Sequence, residues 1–378
     1  MSDSTPQVAR GLAGVVADTS SVSVVDEESG SLLYRGYPVP ELAARCSFEE
    51  VAYLIWHGEL PKGSQLADLV ASERERRAVP ARLMEALAGL PLSCHPMDVL
   101  RTAVSYWGAE GSPLPGAEGD ASSDLDQSVD LWAKLPTIVA AEQRRRRGLG
   151  PIAPDPDLAF AANFFHMCNG TVPDSDLVRA LEISLILYAE HGFNASTFTA
   201  RVITSTGSDL ASSVTGAIGA LKGPLHGGAN EAVMEIFGEL KHPDEVEGWL
   251  AGTLAARRKV MGFGHRLYKH GDSRVPTMRM VLHQLAARSD DGGALLAVSD
   301  RLEQLMLEQK GLYPNLDYPS GPAYYLMGFD TPTFTPIFVM SRITGWTAHI
   351  MEQKANNALI RPLSAYVGSP RRELPEAR

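Results

Sequence analysis

The sequence predicts a mostly α-helical protein with one small β-hairpin near its amino end. From Val39 onward apolar residues recur at three- and four-residue steps almost without interruption, which is the period of an amphipathic helix. Strand-like alternation of β-branched and polar residues is confined to residues 21–37, SVSVVDEESGSLLYRGY, around a Glu-Ser-Gly turn. No such pattern returns later, so the reading is an all-α architecture rather than an α/β one.

A chain of 378 residues can bury a large core and has room for two domains. The 44% apolar and 21% charged residues are those of a water-soluble globular protein. With 34 basic and 45 acidic side chains the formal charge is −11, so the molecule as a whole repels nucleic acid and anionic membranes. A local basic pocket for an anionic ligand is compatible with that balance. Cys46, Cys94 and Cys168 are odd in number and form no CxxC pair, which suits buried thiols in a reducing compartment. Residues 1–20 lack the basic-then-apolar pattern of a signal peptide, and no apolar run reaches the ~18 residues of a membrane span. A cytoplasmic protein is expected.

The elements follow in order. Ser47 ahead of FEEVAYLIW, with Glu50 three positions on, is a capping-box start, and Leu60-Pro61 is expected to stop that helix. Residues 110–124, rich in Pro, Gly, Ser and Asp, read as a surface loop. Leu125, Val129, Trp132 and Leu135 begin a helix running toward Gly148, with Pro136 as a candidate kink. It ends in Arg144 to Arg147, read as a solvated helix end, because cations are favourable in a last turn. The apolar helix 176–190 delivers His191 and Gly192, and Asn194 is a candidate cap for the next. Residues 209–223, with small side chains on all sides, are expected at the centre of the bundle.

Chemistry concentrates in residues 221–274. His226 and His265 each sit among glycines, where a backbone can turn sharply and a ligand can approach closely. Histidine exchanges protons near neutral pH, its unperturbed pKa being about 6.5. A capping or loop role is the alternative for either one alone. Pro224 ends the preceding helix, and Gly227-Gly228 leads into a helix over residues 229–240. An imidazole just ahead of that helix feels its positive end and stays neutral, and a neutral donor can stabilise an enolate formed from a carbonyl. His265 lies with Arg266, Lys269, His270 and Arg274, which suits a substrate with several carboxylates or phosphates, or else an exposed basic loop. GFGHRL lacks the third glycine of a dinucleotide loop and the Lys-Ser/Thr of a P-loop.

Asp317, in PNLDYPSGPAYY, is surrounded by Tyr, Pro and Leu. Desolvation makes such a carboxylate a stronger base, able to take a carbon-bound proton; capping a turn is the other reading. Arg342 falls in an apolar helix and needs an anion, and Arg361 follows that helix. His226, His265 and Asp317 lack the short spacing of a metal site, so no metal is expected.

The strings GPLHGGANEA, MGFGHRLYKHGDSR, PNLDYPSGPAYY, SRITGWTAHIMEQ and IRPLSAYVG together resemble the citrate synthase family over residues 11–368. The resemblance implies a helical homodimer whose subunits have a large domain, residues 1–221 and 323–378, and a small one, residues 222–322, that closes on the substrates. Gly223 and Gly321 are candidate hinges. It implies that His226 holds the acyl-CoA thioester carbonyl, that Asp317 removes the α-proton, and that His265 protonates the carbonyl of oxaloacetate. His191, Arg274 and Arg342 would bind oxaloacetate, with Arg361 supplied by the other subunit. Lys259, Val260, Met261, Gly262 and Phe263 would contact CoA, and no cofactor is implied, because the CoA thioester is a substrate. RGYPVPELAARCSFEEVAYLIWHGELP, CHPMDVLRT and YAEHGFNASTFTARVITSTGSD are most similar to the 2-methylcitrate synthase branch, which condenses propionyl-CoA with oxaloacetate and in many members accepts acetyl-CoA. The runner-up is a citrate synthase of the tricarboxylic acid cycle; a non-catalytic scaffold is the reading from another class. One departure is GDSR at residues 271–274, where the family usually has Asp-Pro-Arg.

Overall fold

The computed structural model describes residues 8–26, 30–111, 121–268 and 270–374. Its only sheet among these residues is β1 (Ser23–Val25), β2 (Leu32–Tyr34) and β3 (Tyr37–Pro38), antiparallel in that order. Val24 faces Leu33, and Leu33 faces Pro38. The expected hairpin therefore has a third strand. Arg35 and Gly36 both take left-handed backbone, φ 49° and 91°, and turn the chain straight back on itself. Most of the expected Glu-Ser-Gly turn lies outside the described residues; its flank is closed by the Gly30 N–H donating to the Asp26 carbonyl at 2.8 Å.

Helices α1 (Val39–Arg45) and α2 (Phe48–His57) follow, and the capping box at α2 is formed, Ser47 and Glu50 satisfying each other's N–H groups. The helix stops at Gly58, φ 89°, ahead of the expected Leu60-Pro61, because a left-handed glycine closes its last turn first. Next come α3 (Gly63–Arg76), α4 (Ala81–Ala88), α5 (Pro96–Gly111) and α6 (Ala121–Arg146), the last carrying Pro136 in its interior. The loop expected over 110–124 is shorter than its composition suggested, since α5 and α6 extend into both ends; residues 112–120 lie outside the described residues. The arginines ending α6 are not a solvated run. Arg145 and Arg146 both bond Glu142 at 2.7 Å, and Arg147 holds Asp330 through two bonds of 2.8 and 2.9 Å. Helices α7 (Phe160–Asn169), α8 (Ser175–Tyr188), α9 (Ala195–Ser205) and α10 (Leu210–Leu221) complete this half, with Asn194 capping α9 as expected.

The remainder is α11 (Ala229–Glu239), α12 (Val246–Ala255), α13 (Val275–Ala286), α14 (Gly292–Lys310), α15 (Asp317–Leu326) and α16 (Phe334–Ala355). Every residue of α16 from Phe334 to Ile350 is buried, the condition of a helix at the centre of a core. It packs on α2, α5, α6, α8, α9 and α10. The central place expected for α10 thus belongs to α16. On α10, Ser212 and Gly219 face outward and are exposed, because its small residues permit close approach on one side without supplying cover on the other.

Apolar packing forms two clusters. The larger runs from the sheet through α2, α5, α6, α8 and α16, and centres on Trp132 stacked on Phe160 at 5.0 Å. The smaller joins Val233, Phe237, Leu250, Leu302 and Tyr318 from α11, α12, α14 and α15; α13 packs with the larger cluster. After α16 the chain runs exposed and extended to residue 374, with Leu363, Val367 and Leu374 each at least 90% exposed.

Helices α5 and α10 touch where neither has a side chain to spare: a Cβ on Gly108 would overlap that of Ala211. Gly108→Ala is expected to lower stability by about 1–3 kcal/mol through overpacking, read as a lower denaturant midpoint at unchanged m-value.

Candidate active site

A cleft of about 950 Å³ opens between the two apolar clusters. His191, His226, His265, Arg274, Asp317 and Arg342 all line it, and Lys259, Val260, Met261, Gly262 and Phe263 form one wall. Residues scattered over 152 positions of sequence therefore share one solvent-reaching space; Arg361 does not join them and lies exposed on the extended tail. Lys269 lies outside the described residues, and Arg266 donates to the Gly11 carbonyl at 3.0 Å.

His226 sits on the turn between α10 and α11. Its glycines are required by packing, since a Cβ on Gly227 would come within 2.6 Å of Leu221 Cγ and 2.8 Å of the Leu221 carbonyl. The Ser196 N–H donates to His226 Nε2 at 3.3 Å, and the Ser196 hydroxyl lies 2.8 Å from the same nitrogen. An N–H can only donate, so Nε2 is the acceptor and the ring proton resides on Nδ1. The imidazolium is disfavoured as expected, with its pKa held at about 3. Burial is the main cause and Arg342 the second.

Asp317 begins α15 without capping it; its carboxylate accepts the Tyr188 hydroxyl at 2.7 Å. Burial raises its pKa to about 6, against the opposing pull of that hydrogen bond and of Arg274. The two groups are thus displaced in opposite directions, and the carboxylate becomes a stronger base than the imidazole in the same cleft.

His265 is exposed where it lines the cleft. Desolvation by the cleft wall, then the charge of Arg274, holds its pKa at about 4. The Leu267 N–H donates to His265 Nδ1 at 3.1 Å, which places the proton of the neutral ring on Nε2. His191 packs edge-on against it, ring centres 5.0 Å apart, and its Nε2 meets the Tyr268 hydroxyl at 2.9 Å. Burial, with Arg274 next, drives His191 well below the usual histidine range.

The two arginines differ. Arg274 is buried against Asp272, donating from Nε at 2.9 Å and Nη2 at 2.6 Å, and its Nη1 meets the Leu187 carbonyl at 3.4 Å. Arg342, 1% exposed, donates from Nε to the Tyr188 carbonyl at 2.7 Å and lies 4.7 Å from the centre of the Phe338 ring. Among the described residues its Nη1 finds no acceptor and no carboxylate forms an ion pair with it, so the cation that the sequence said must meet an anion is not neutralised there by direct contact.

Sequence reasoning missed Tyr188, Ser196, Tyr268 and Asp272, each of which bonds a residue it did identify. Only Asp272 carried a signal, being a carboxylate two positions from an arginine in need of one. Ser273, where the family usually has proline, accepts the Leu32 N–H at 3.1 Å and ties the Arg274 turn to β2. Among the described residues no group of three or more His, Cys, Asp or Glu side chains is arranged to hold a metal ion.

The family model described as Citrate synthase, C-terminal domain, matches residues 11–363. A 2-methylcitrate synthase of Mycobacterium tuberculosis is 58% identical over 373 residues, covering 99% of this chain and 94% of that protein. A protein of Mycolicibacterium smegmatis named citrate synthase is 57% identical over 369 residues, covering 98% and 97%.

 

The solved ternary complex of carboxymethyl coenzyme A and oxaloacetate with citrate synthase from the thermophilic archaeon Thermoplasma acidophilum superposes with a TM-score of 0.93 at 30% identity, covering 98% of each chain. These likenesses run through the sheet, the helices and every segment that lines the cleft. The chain belongs to the citrate synthase family.

Proposed function

We propose that this protein condenses propionyl-CoA with oxaloacetate and water to give 2-methylcitrate and CoA, and that it accepts acetyl-CoA to make citrate. The observation that carries the reading is the pairing, in one cleft, of a neutral imidazole donor at His226 with a desolvated carboxylate at Asp317. Asp317 takes a proton from the carbon next to the thioester, and the His226 Nδ1–H stabilises the enolate oxygen. The enolate carbon bonds to the ketone carbon of oxaloacetate while His265 gives a proton to the ketone oxygen. Water then cleaves the thioester, leaving the new carboxylate and the free thiol of CoA. His191, Arg274 and Arg342 hold the oxaloacetate carboxylates, and the wall from residue 259 to 263 holds CoA. The name of the Mycolicibacterium smegmatis relative supports a second reading, a citrate synthase that prefers acetyl-CoA.

The same proposal includes a cytoplasmic homodimer. The exposed outer side of α10 and the apolar tail beyond α16 are surfaces that a second copy can cover, and Arg361 on that tail is offered to the partner's cleft. The smaller apolar cluster supports a mobile domain over residues 222–322, with residues 1–221 and 323–378 as the larger one and Gly223 and Gly321 as hinge candidates.

The deciding assay is release of CoA thiol with oxaloacetate and either acyl-CoA. A kcat/KM higher for propionyl-CoA is expected; a preference for acetyl-CoA selects the second reading, and no thiol with either removes both. His226→Ala or Asp317→Ala is expected to reduce kcat about a hundred- to ten-thousand-fold while circular dichroism stays unchanged.

Acid should also switch the reaction off. The base must be ionised, so kcat/KM falls as pH drops through about 6. The Tyr188 hydroxyl favours the ionised form, so Tyr188→Phe moves that limb to higher pH; a limb that stays put would assign it to another group.

A further inference from the structure

Behind His191, on the side away from the cleft, lies a buried polar cluster to which the reaction assigns no role. Glu190 is fully buried, and its Oε1 accepts from Ser23 Oγ at 2.9 Å and from the Gly192 N–H. His349 of α16, also fully buried, lies with Nε2 2.9 Å from the same oxygen. Arg201 Nη1 donates to His349 Nδ1 at 3.1 Å and to Glu352 at 2.8 Å, and its Nη2 donates to Asp18 at 3.1 Å. A guanidinium can only donate, so Nδ1 is an acceptor and the imidazole proton points from Nε2 to Glu190.

The backbone of Glu190 is held as well. The Tyr34 hydroxyl donates to its carbonyl at 2.9 Å and accepts from its N–H at 3.1 Å. Glu190 thus spans His191 from behind, closing a turn onto Gly192, whose φ of 56° suits glycine. Space for the carboxylate is built into α16, because a Cβ on Gly345 would overlap Glu190 Oε2. Neither Glu190 nor His349 lines the cleft, whereas His191, the residue after Glu190, does.

We propose that Glu190 and His349 are positioning residues for oxaloacetate: they fix the turn that aims His191 into the cleft. The inference rests on the condensation proposed above. Its geometry gives a specific expectation, that disturbing the cluster weakens the oxaloacetate side of the cleft and leaves the wall that faces acyl-CoA in place.

The test compares full-length wild type with His349→Leu, His349→Gln and Ser23→Ala. Leucine keeps bulk and loses both hydrogen bonds, whereas glutamine retains one donor for Glu190 and one acceptor for Arg201. His349→Leu is expected to raise KM for oxaloacetate about ten-fold with KM for propionyl-CoA within about two-fold of wild type. His349→Gln is expected to recover to within about three-fold, and Ser23→Ala, at the partly buried end of the cluster, to raise the oxaloacetate KM about three-fold. If His349→Leu does not fold, Ser23→Ala decides alone. An unchanged oxaloacetate KM in the folded variants, or a parallel rise for both substrates, overturns the assignment. Wild type is measured first; if it does not turn over oxaloacetate, the condensation itself falls, and this inference with it.

Discussion

A helix buried on every side has no solvent to satisfy its polar side chains, and α16 carries several. Each must find a partner inside the protein or in what the protein binds. Ser341 donates to the Leu185 carbonyl, Arg342 to that of Tyr188, and Trp346 to Ser196 Oγ at 3.0 Å. Three of these partners belong to α8 or to the start of α9, so satisfying α16 fixes the segment between them. That segment contains His191, and through Ser196 it also orients His226. These hydrogen bonds tie both histidine-bearing segments to the core.

Desolvation does the electrostatic work in the cleft. It lowers the histidines and raises Asp317, and so reverses the usual order in which a carboxylic acid gives up its proton before an imidazolium does. In this order a neutral imidazole coexists with an ionised carboxylate near pH 7, and the carboxylate is the better base. Arg274 and Arg342 reinforce the neutral state of the rings and leave the cleft with two buried positive charges. Asp272, which holds Arg274 in place, also accepts the Leu316 N–H at 3.3 Å, one residue before Asp317.

What could be seen in the sequence was chemistry marked by local contrast. His226 and His265 stand among glycines, Asp317 among rings, and Arg342 in an apolar helix, so each is conspicuous within a few positions. The capping box at Ser47 and the cap at Asn194 are local for the same reason. Tyr188, Glu190 and His349 were silent, because their roles exist only as pairs. Tyr188 meets Asp317 across 129 positions, and Glu190 meets His349 across 159. The central helix was misassigned for a related cause: small residues on α10 measure how near a neighbour can come, while the neighbours of α16 are set by tertiary packing. The arginines of α6 looked solvated because Glu142 and Asp330 become their partners only after folding.

The N-terminal sheet shows what such long-range pairing means for the order in which the molecule can be made. Ser23 is anchored to Glu190 across 167 positions, Tyr34 to the carbonyl of Glu190 across 156, and Leu32 to Ser273 across 241. These strands leave the ribosome early and find their partners late. Three strands of two or three residues do not hold themselves together in water. The sheet therefore cannot complete its long-range contacts in synthesis until Ser273 has emerged.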